Sequence, residues 1–287
     1  MSNIRIFLLV MALALNSTFA RGADKPGELP FKLLQGFGIV VQGEIGLRKD
    51  MNFLLDTGAV PSVLGKRAAA QMGIRGVRGP LTLLNQESQA EYVTVDGVQL
   101  GWIRAARLPM VVVELAHLEQ RLGTRIDAII GLDMLVGQNI SIDYKHRKIM
   151  RGLSGLSRHS VDVETFTASG APYWVVPISL GGVELRVLLD TGANDLGLFT
   201  PRGSKPFKFV RSETIAHDSA AGEQKAFAMP PMVLVLNDGK FKNQVAVIVG
   251  EAPGALQEID GVLGPTVLGI TRIELDWEQK CLRWDTQ

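Results

Sequence analysis

Leu54-Leu55-Asp56-Thr57-Gly58-Ala59 and Leu188-Leu189-Asp190-Thr191-Gly192-Ala193 are one six-residue phrase written twice, 134 residues apart. Downstream of each copy, Ile126-Asp127-Ala128-Ile129-Ile130-Gly131 is echoed by Ile259-Asp260-Gly261-Val262-Leu263-Gly264 at an offset of 133. Ile142-Asp143-Tyr144 is echoed by Leu275-Asp276-Trp277 at the same offset. Three blocks in one order at nearly the same spacing mark an internal duplication. A chain of 287 residues has room for two such units, each of roughly 100–150 residues with its own core.

Working outward from the repeats, the flanking residues alternate as strands do. Val175 to Leu180 and Val183 to Leu189 are apolar runs around Gly181-Gly182, a pair suited to a tight hairpin. Ile39 to Ile45 and Met51 to Leu55 are the counterparts in the first half, joined through Gly46 to Asp50. Asp133-Met134-Leu135 and Thr266-Val267-Leu268 are expected to open short helices with Asp133 and Thr266 as caps. The rest reads as β-rich, so the expected fold class is all-β, two homologous lobes with few short helices. The expected organisation is a signal peptide over 1–20, a leader over 21–34, a first lobe over 35–152, a linker over 153–169 and a second lobe over 170–287.

Two carboxylates that share one proton and hold one water can hydrolyse an amide, one as base and the other as acid. Two copies of one loop, related by approximate two-fold symmetry, deliver that pair. The candidate catalytic residues are Asp56 and Asp190. Thr57 and Thr191 would lock the loops together, and Gly58 and Gly192 would let the backbones approach closely. Asp127 and Asp260 also recur, but each precedes an apolar strand, where a carboxylate more often holds a backbone amide. Asp143 and Asp276 read as turn formers. Asp133 stands opposite Thr266 in the repeat, which excludes a symmetric catalytic role.

The paired Asp-Thr-Gly-Ala loops and the later apolar-apolar-Gly segments resemble those of retropepsin-like and pepsin-like aspartic proteases, in a single-chain, two-lobed, bacterial-type arrangement. The resemblance covers residues 35 to 287. It implies two acid-protease-like β-barrel lobes, with Ile129-Ile130-Gly131 and Val262-Leu263-Gly264 crossing beneath the catalytic loops. It also implies an aspartic endopeptidase with a polypeptide substrate and no cofactor, for which a monomer is sufficient. Flexible hairpins that close over substrate are expected within Leu84 to Tyr92 and Ala216 to Phe227, although neither tip carries the tyrosine of pepsin-like flaps. Ala59 and Ala193 stand where pepsin-like loops often have a hydroxyl that favours the ionised carboxylate, so a mildly acidic optimum is expected. The rival reading is a catalytically inactive peptide-binding or sensing module of the same fold.

The chain's first residues and composition bound the setting. Arg5, the apolar run Ile6 to Leu15 and Thr18-Phe19-Ala20 form a secretory pattern too short to span a bilayer, so export to a periplasmic or extracellular space is expected, without stable membrane insertion after cleavage. Thirty Lys and Arg balance 29 Asp and Glu, which argues against a nucleic-acid partner. Cys281 is the only cysteine, so no internal disulfide exists, and the residue reads as core. His117, His146, His159 and His217 fall in no metal-ligand spacing, and no metal is expected.

Overall fold

The computed structural model describes residues 27–83, 86–168, 171–200, 213–219, 222–252 and 254–286. The expected signal peptide lies outside the described residues, as does the leader up to residue 26. The fold is all-β, with two seven-residue helices, α1 (Lys66–Met72) and α2 (Ala116–Leu122), among the described residues. The first lobe carries β1 (Glu28–Leu34), β2 (Gly38–Ile45), β3 (Arg48–Leu55), β4 (Ser62–Gly65), β5 (Val77–Leu83), β6 (Gln86–Leu100), β7 (Ile103–Val113), β8 (Ala128–Ile130), β9 (Ile140–Asp143) and β10 (Lys148–Arg151). The second carries β11 (His159–Asp162), β12 (Glu164–Ala168), β13 (Ala171–Leu180), β14 (Val183–Leu189), β15 (Leu196–Thr200), β16 (Glu213–Ser219), β17 (Gly222–Ala228), β18 (Met232–Leu236), β19 (Gly239–Gln244), β20 (Ala246–Glu251), β21 (Gly261–Leu263), β22 (Ile270–Asp276) and β23 (Cys281–Thr286).

The duplication in the sequence is a duplication in register. In the first lobe β2 and β3 form a hairpin with Val40 opposite Leu54, and β8 lies parallel to β3 with Leu55 beside Ile130. In the second, β13 and β14 pair with Val175 opposite Leu188, and β21 lies parallel to β14 with Leu189 beside Leu263. Gly181 and Gly182 both have positive φ, the backbone a two-residue hairpin requires between Leu180 and Val183. Side chains alternate across each strand, so Leu55 and Leu189 enter the large core that joins the lobes while Leu54 and Leu188 enter a smaller cluster in each lobe. Strands buried on both faces read as continuous apolar runs, and each fully buried leucine contributes roughly 1.5–3 kcal/mol.

The lobes meet through a six-stranded layer in the order β11, β23, β22, β9, β10, β1. At its centre β9 and β22 run antiparallel, Ile142 opposite Ile273 and Ile140 opposite Leu275. Ser141 faces Glu274, its own counterpart in the repeat, so the pseudo-two-fold axis passes between them. Tyr144 and Trp277, which end the third repeated block, follow these two strands.

Two expected boundaries need correction. Residues 28–34, assigned to a leader, form β1, and residues 159–168 of the assigned linker form β11 and β12. β1 pairs with β10 and then with β2, whereas β11 pairs with β23 and β12 with β13. They are the same element, the first strand of each lobe, broken in the second at Val163. Pro26, Gly27 and Pro30 disguise it in one copy, and Ser157, Arg158, His159 and Ser160 disguise it in the other. The expected helix caps also differ. The 3₁₀ turns that follow the two apolar-Gly blocks span Leu132–Met134 and Pro265–Leu268, so Gly131 and Gly264 precede them while Asp133 and Thr266 lie inside.

The lobes differ where proline intervenes. β6 runs unbroken for 15 residues. Its counterpart is divided into β17 and β18 around Met229-Pro230-Pro231, because proline cannot donate to a ladder.

Candidate active site

Each Asp-Thr-Gly loop leaves the end of a buried strand and is held from below by its parallel neighbour. The Asp56 amide donates to Ile130 O at 2.9 Å and the Asp190 amide to Leu263 O at 3.0 Å. These are the apolar-Gly segments that the resemblance assigns to loop support. The glycine ending each is required by contact. A Cβ on Gly131 would sit 2.0 Å from Ala59 O, and one on Gly264 would sit 2.4 Å from Ala193 O. Neither oxygen can move without moving an Asp-Thr-Gly loop. Gly131→Ala and Gly264→Ala are each expected to cost about 2–3 kcal/mol, read as a lower midpoint in urea unfolding.

The two loops grip each other through their threonines. Thr57 Oγ1 donates to Leu189 O at 2.7 Å and accepts the Thr191 amide at 3.0 Å. Thr191 Oγ1 donates to Leu55 O at 3.1 Å and accepts the Thr57 amide at 3.0 Å. Both threonines are buried, so each hydroxyl satisfies a donor and an acceptor that water cannot reach. The grip brings the two aspartates together. A Cβ on Gly58 would lie 2.6 Å from Asp190 Cγ, and one on Gly192 would lie 2.6 Å from Asp56 Cγ. Only glycine fits at either position.

Within its own loop each carboxylate accepts the amide two residues on, Gly58 for Asp56 and Gly192 for Asp190, both at 2.8 Å. The two side chains also hydrogen-bond to each other. Desolvation by the surrounding protein raises both, Asp190 well above the usual carboxylate range. The Asp56 charge raises Asp190 further, while the Gly58 and Ala59 amides and the Asp190 carboxyl favour ionised Asp56. Both carboxyls are thus pushed toward the protonated form, Asp190 the further, and the pair titrates as one coupled unit. Both side chains keep partial contact with solvent.

Residues 41–134 match the family model described as aspartyl protease. That match supports an aspartic protease family, a protease hydrolase with polypeptide as its substrate class. No curated protein matches the chain. The matched stretch runs from β2 through the turn at Met134 and contains Asp56 with its support Ile129-Ile130-Gly131. Asp190 lies outside the matched stretch and is placed beside Asp56 by the repeat and the loop contacts.

The other recurring aspartates hold backbone. Asp127 Oδ2 accepts the Asn52 amide and Asp260 Oδ2 accepts the Arg186 amide, at 3.0 and 2.9 Å. Asp143 and Asp276 each accept an amide three residues on, from His146 and Gln279. Cys281 is buried in β23, and burial raises its thiol pKa. Among the described residues no three His, Cys, Asp or Glu side chains converge as a metal site would need.

Two features of this site went unread in the sequence. Asp133 accepts both the amide and the hydroxyl of Ser62, at 2.7 and 2.6 Å, and Ser62 Oγ accepts the Gly131 amide at 2.9 Å. This clamp braces the chain leaving the Asp56 loop, and burial raises Asp133. Leu196 and Thr266 occupy these positions in the second lobe, so a search for repeats passes over the clamp. The second is Tyr173, whose hydroxyl donates to Val60 O at 3.3 Å. The two candidate closing segments fall in hairpins, β5–β6 with Leu83 opposite Gln86 and β16–β17 with Ser219 opposite Gly222. Leu84, Asn85, Ala220 and Ala221 lie outside the described residues. Gln86 to Gln89, within the first expected closing segment, form the start of β6, and the Tyr92 hydroxyl donates to Pro80 O at 2.5 Å near the hairpin's base.

Proposed function

We propose that the chain is a single-chain aspartic endopeptidase in which Asp56 and Asp190 hold and activate one water between two lobes. The reading rests on one observation, the reciprocal contact of two Asp-Thr-Gly loops through Thr57, Thr191, Gly58 and Gly192. Ionised Asp56 takes a proton from the water as its oxygen attacks the peptide carbonyl carbon, while protonated Asp190 gives its proton to the carbonyl oxygen. The resulting gem-diol returns a proton to Asp190. Asp56 then protonates the leaving nitrogen as the carbon–nitrogen bond breaks, so no proton is gained or lost over the cycle. The thiol and hydroxyl side chains form no covalent intermediate. The β5–β6 and β16–β17 hairpins are the elements that would close over an extended substrate.

An exported enzyme, cleaved after Ala20 and acting in the periplasm or outside the cell, fits the secretory pattern of residues 1–20. Each chain carries both carboxylates, so a monomer suffices. Because burial raises both members of the dyad, cleavage is expected to peak in mildly acidic solution and persist near pH 6. Incubation of the mature protein with an unfolded protein substrate across pH, with products read by mass spectrometry, tests this. Peak cleavage in strong acid with none near pH 6 contradicts the pH assignment. Absence of cleavage at every pH, with retained peptide binding, replaces the enzyme by a binding module.

A further inference from the structure

Besides the Ser62–Asp133 clamp, the pseudo-two-fold relation fails at a second place beside the dyad. The register that sets Val40 opposite Leu54 and Val175 opposite Leu188 makes Tyr173 the counterpart of Gly38. A phenol thus stands in the second lobe where the first has no side chain. Tyr173 is 7% exposed and packs with Val175, Leu188 and Phe199 of its own lobe. Its hydroxyl leaves that lobe and donates to the carbonyl of Val60, four residues beyond Asp56. The Val60 side chain follows the same path, touching the second lobe's cluster as well as the shared core. On the symmetric side Asn194 takes the place of Val60, and Gly38 offers nothing to reach it.

We propose that Tyr173 is a positioning residue for peptide hydrolysis, holding the exit of the Asp56 loop against the opposite lobe so that Asp56 keeps the amide bonds that favour its ionised form. The proposal rests on the dyad assigned above. Burial first, and then the charges of Asp56, Asp133 and Asp190, push the Tyr173 phenol up to about 12, so it stays a neutral donor at any pH at which the enzyme works. The groups that face Asp56 are the Asp190 carboxyl and the Tyr173 phenol, and those that face Asp190 are Asp56, Asp195 and the Tyr173 and Tyr144 phenols. The Val60 tie holds the chain leaving the Asp56 loop, and Gly38 provides no equivalent for the chain leaving the Asp190 loop.

Tyr173→Phe keeps the ring and its packing and removes only the hydroxyl. Loss of one hydrogen bond to the loop is expected to lower kcat about three- to tenfold, with KM within about twofold of its original value. A looser loop gives weaker bonds from the Gly58 and Ala59 amides to Asp56. The acidic limb of the pH–rate profile should then move to higher pH while the alkaline limb stays in place. Carbon-13 NMR titration of the Asp56 carboxyl in wild type and variant reads the same shift without substrate, and the expected direction is upward. Unchanged kcat, KM and Asp56 titration, with or without a lower melting temperature, would make Tyr173 a packing residue and overturn the proposal. If neither protein cleaves peptides, the endopeptidase reading fails. The carboxyl titration then decides on Tyr173 alone, an upward shift supporting it and no shift refuting it.

Discussion

Asp190→Asn is expected to lower kcat/KM for peptide cleavage by at least about a thousandfold and, at neutral pH, to raise the melting temperature. The activity falls because an amide cannot deliver the proton that the carbonyl oxygen must receive, and residues acting as one unit lose most of their effect when any member is lost. The stability gain follows from the sign of the perturbation. Burial raises the Asp190 pKa in the folded protein, so its favourable contribution is complete below the unfolded carboxyl's pKa and disappears as pH climbs through the folded value. Above the unfolded carboxyl's pKa the wild type carries a cost that grows with pH, because its buried Asp190 must either keep a proton that the unfolded chain releases or ionise beside Asp56, and the Asn variant carries none. The stability difference between variant and wild type should grow from acid to neutral pH, by about 1 kcal/mol or more, as in other sites where function is held against stability. Thermal unfolding at pH 4 and pH 7 checks it. A variant less stable than wild type at pH 7 would refute the raised pKa.

Thr57→Val is expected to cost about 2–5 kcal/mol and to lower the melting temperature by roughly 10 °C. The substitution is close to isosteric, so the loss is almost entirely polar. It strands Leu189 O and the Thr191 amide in a site no water enters, and each unsatisfied buried group costs about 1–3 kcal/mol. Thr191→Val strands Leu55 O and the Thr57 amide in the same way. The four bonds form one closed ring across the lobes, so the double variant should lose clearly less than the sum of the singles. Additive losses in a double-mutant cycle would mean that the two threonines act separately.

The duplication made much of this legible. Two Asp-Thr-Gly-Ala loops with a downstream apolar-Gly block specified the β3–β8 and β14–β21 ladders, because a continuous apolar run is the mark of a strand buried on both faces. Symmetry also hid things. β1 was concealed by Pro26, Gly27 and Pro30, and β11 and β12 by polar residues, since strands at a sheet's edge carry fewer of the apolar residues by which strands are recognised. The Ser62–Asp133 clamp and the Tyr173–Val60 tie have no counterpart across the pseudo-two-fold axis, and their residues are far apart in sequence. They become visible once the two halves are aligned and the mismatches, rather than the matches, are followed.

The central claim is that one chain builds one site from both carboxylates. Calorimetric titration of the mature protein in mildly acidic solution, with a peptide analogue carrying a secondary hydroxyl in place of the scissile carbonyl, measures it directly. One analogue should bind per chain, and binding should collapse in both Asp56→Asn and Asp190→Asn. One analogue per two chains, or full binding in either variant, would contradict it.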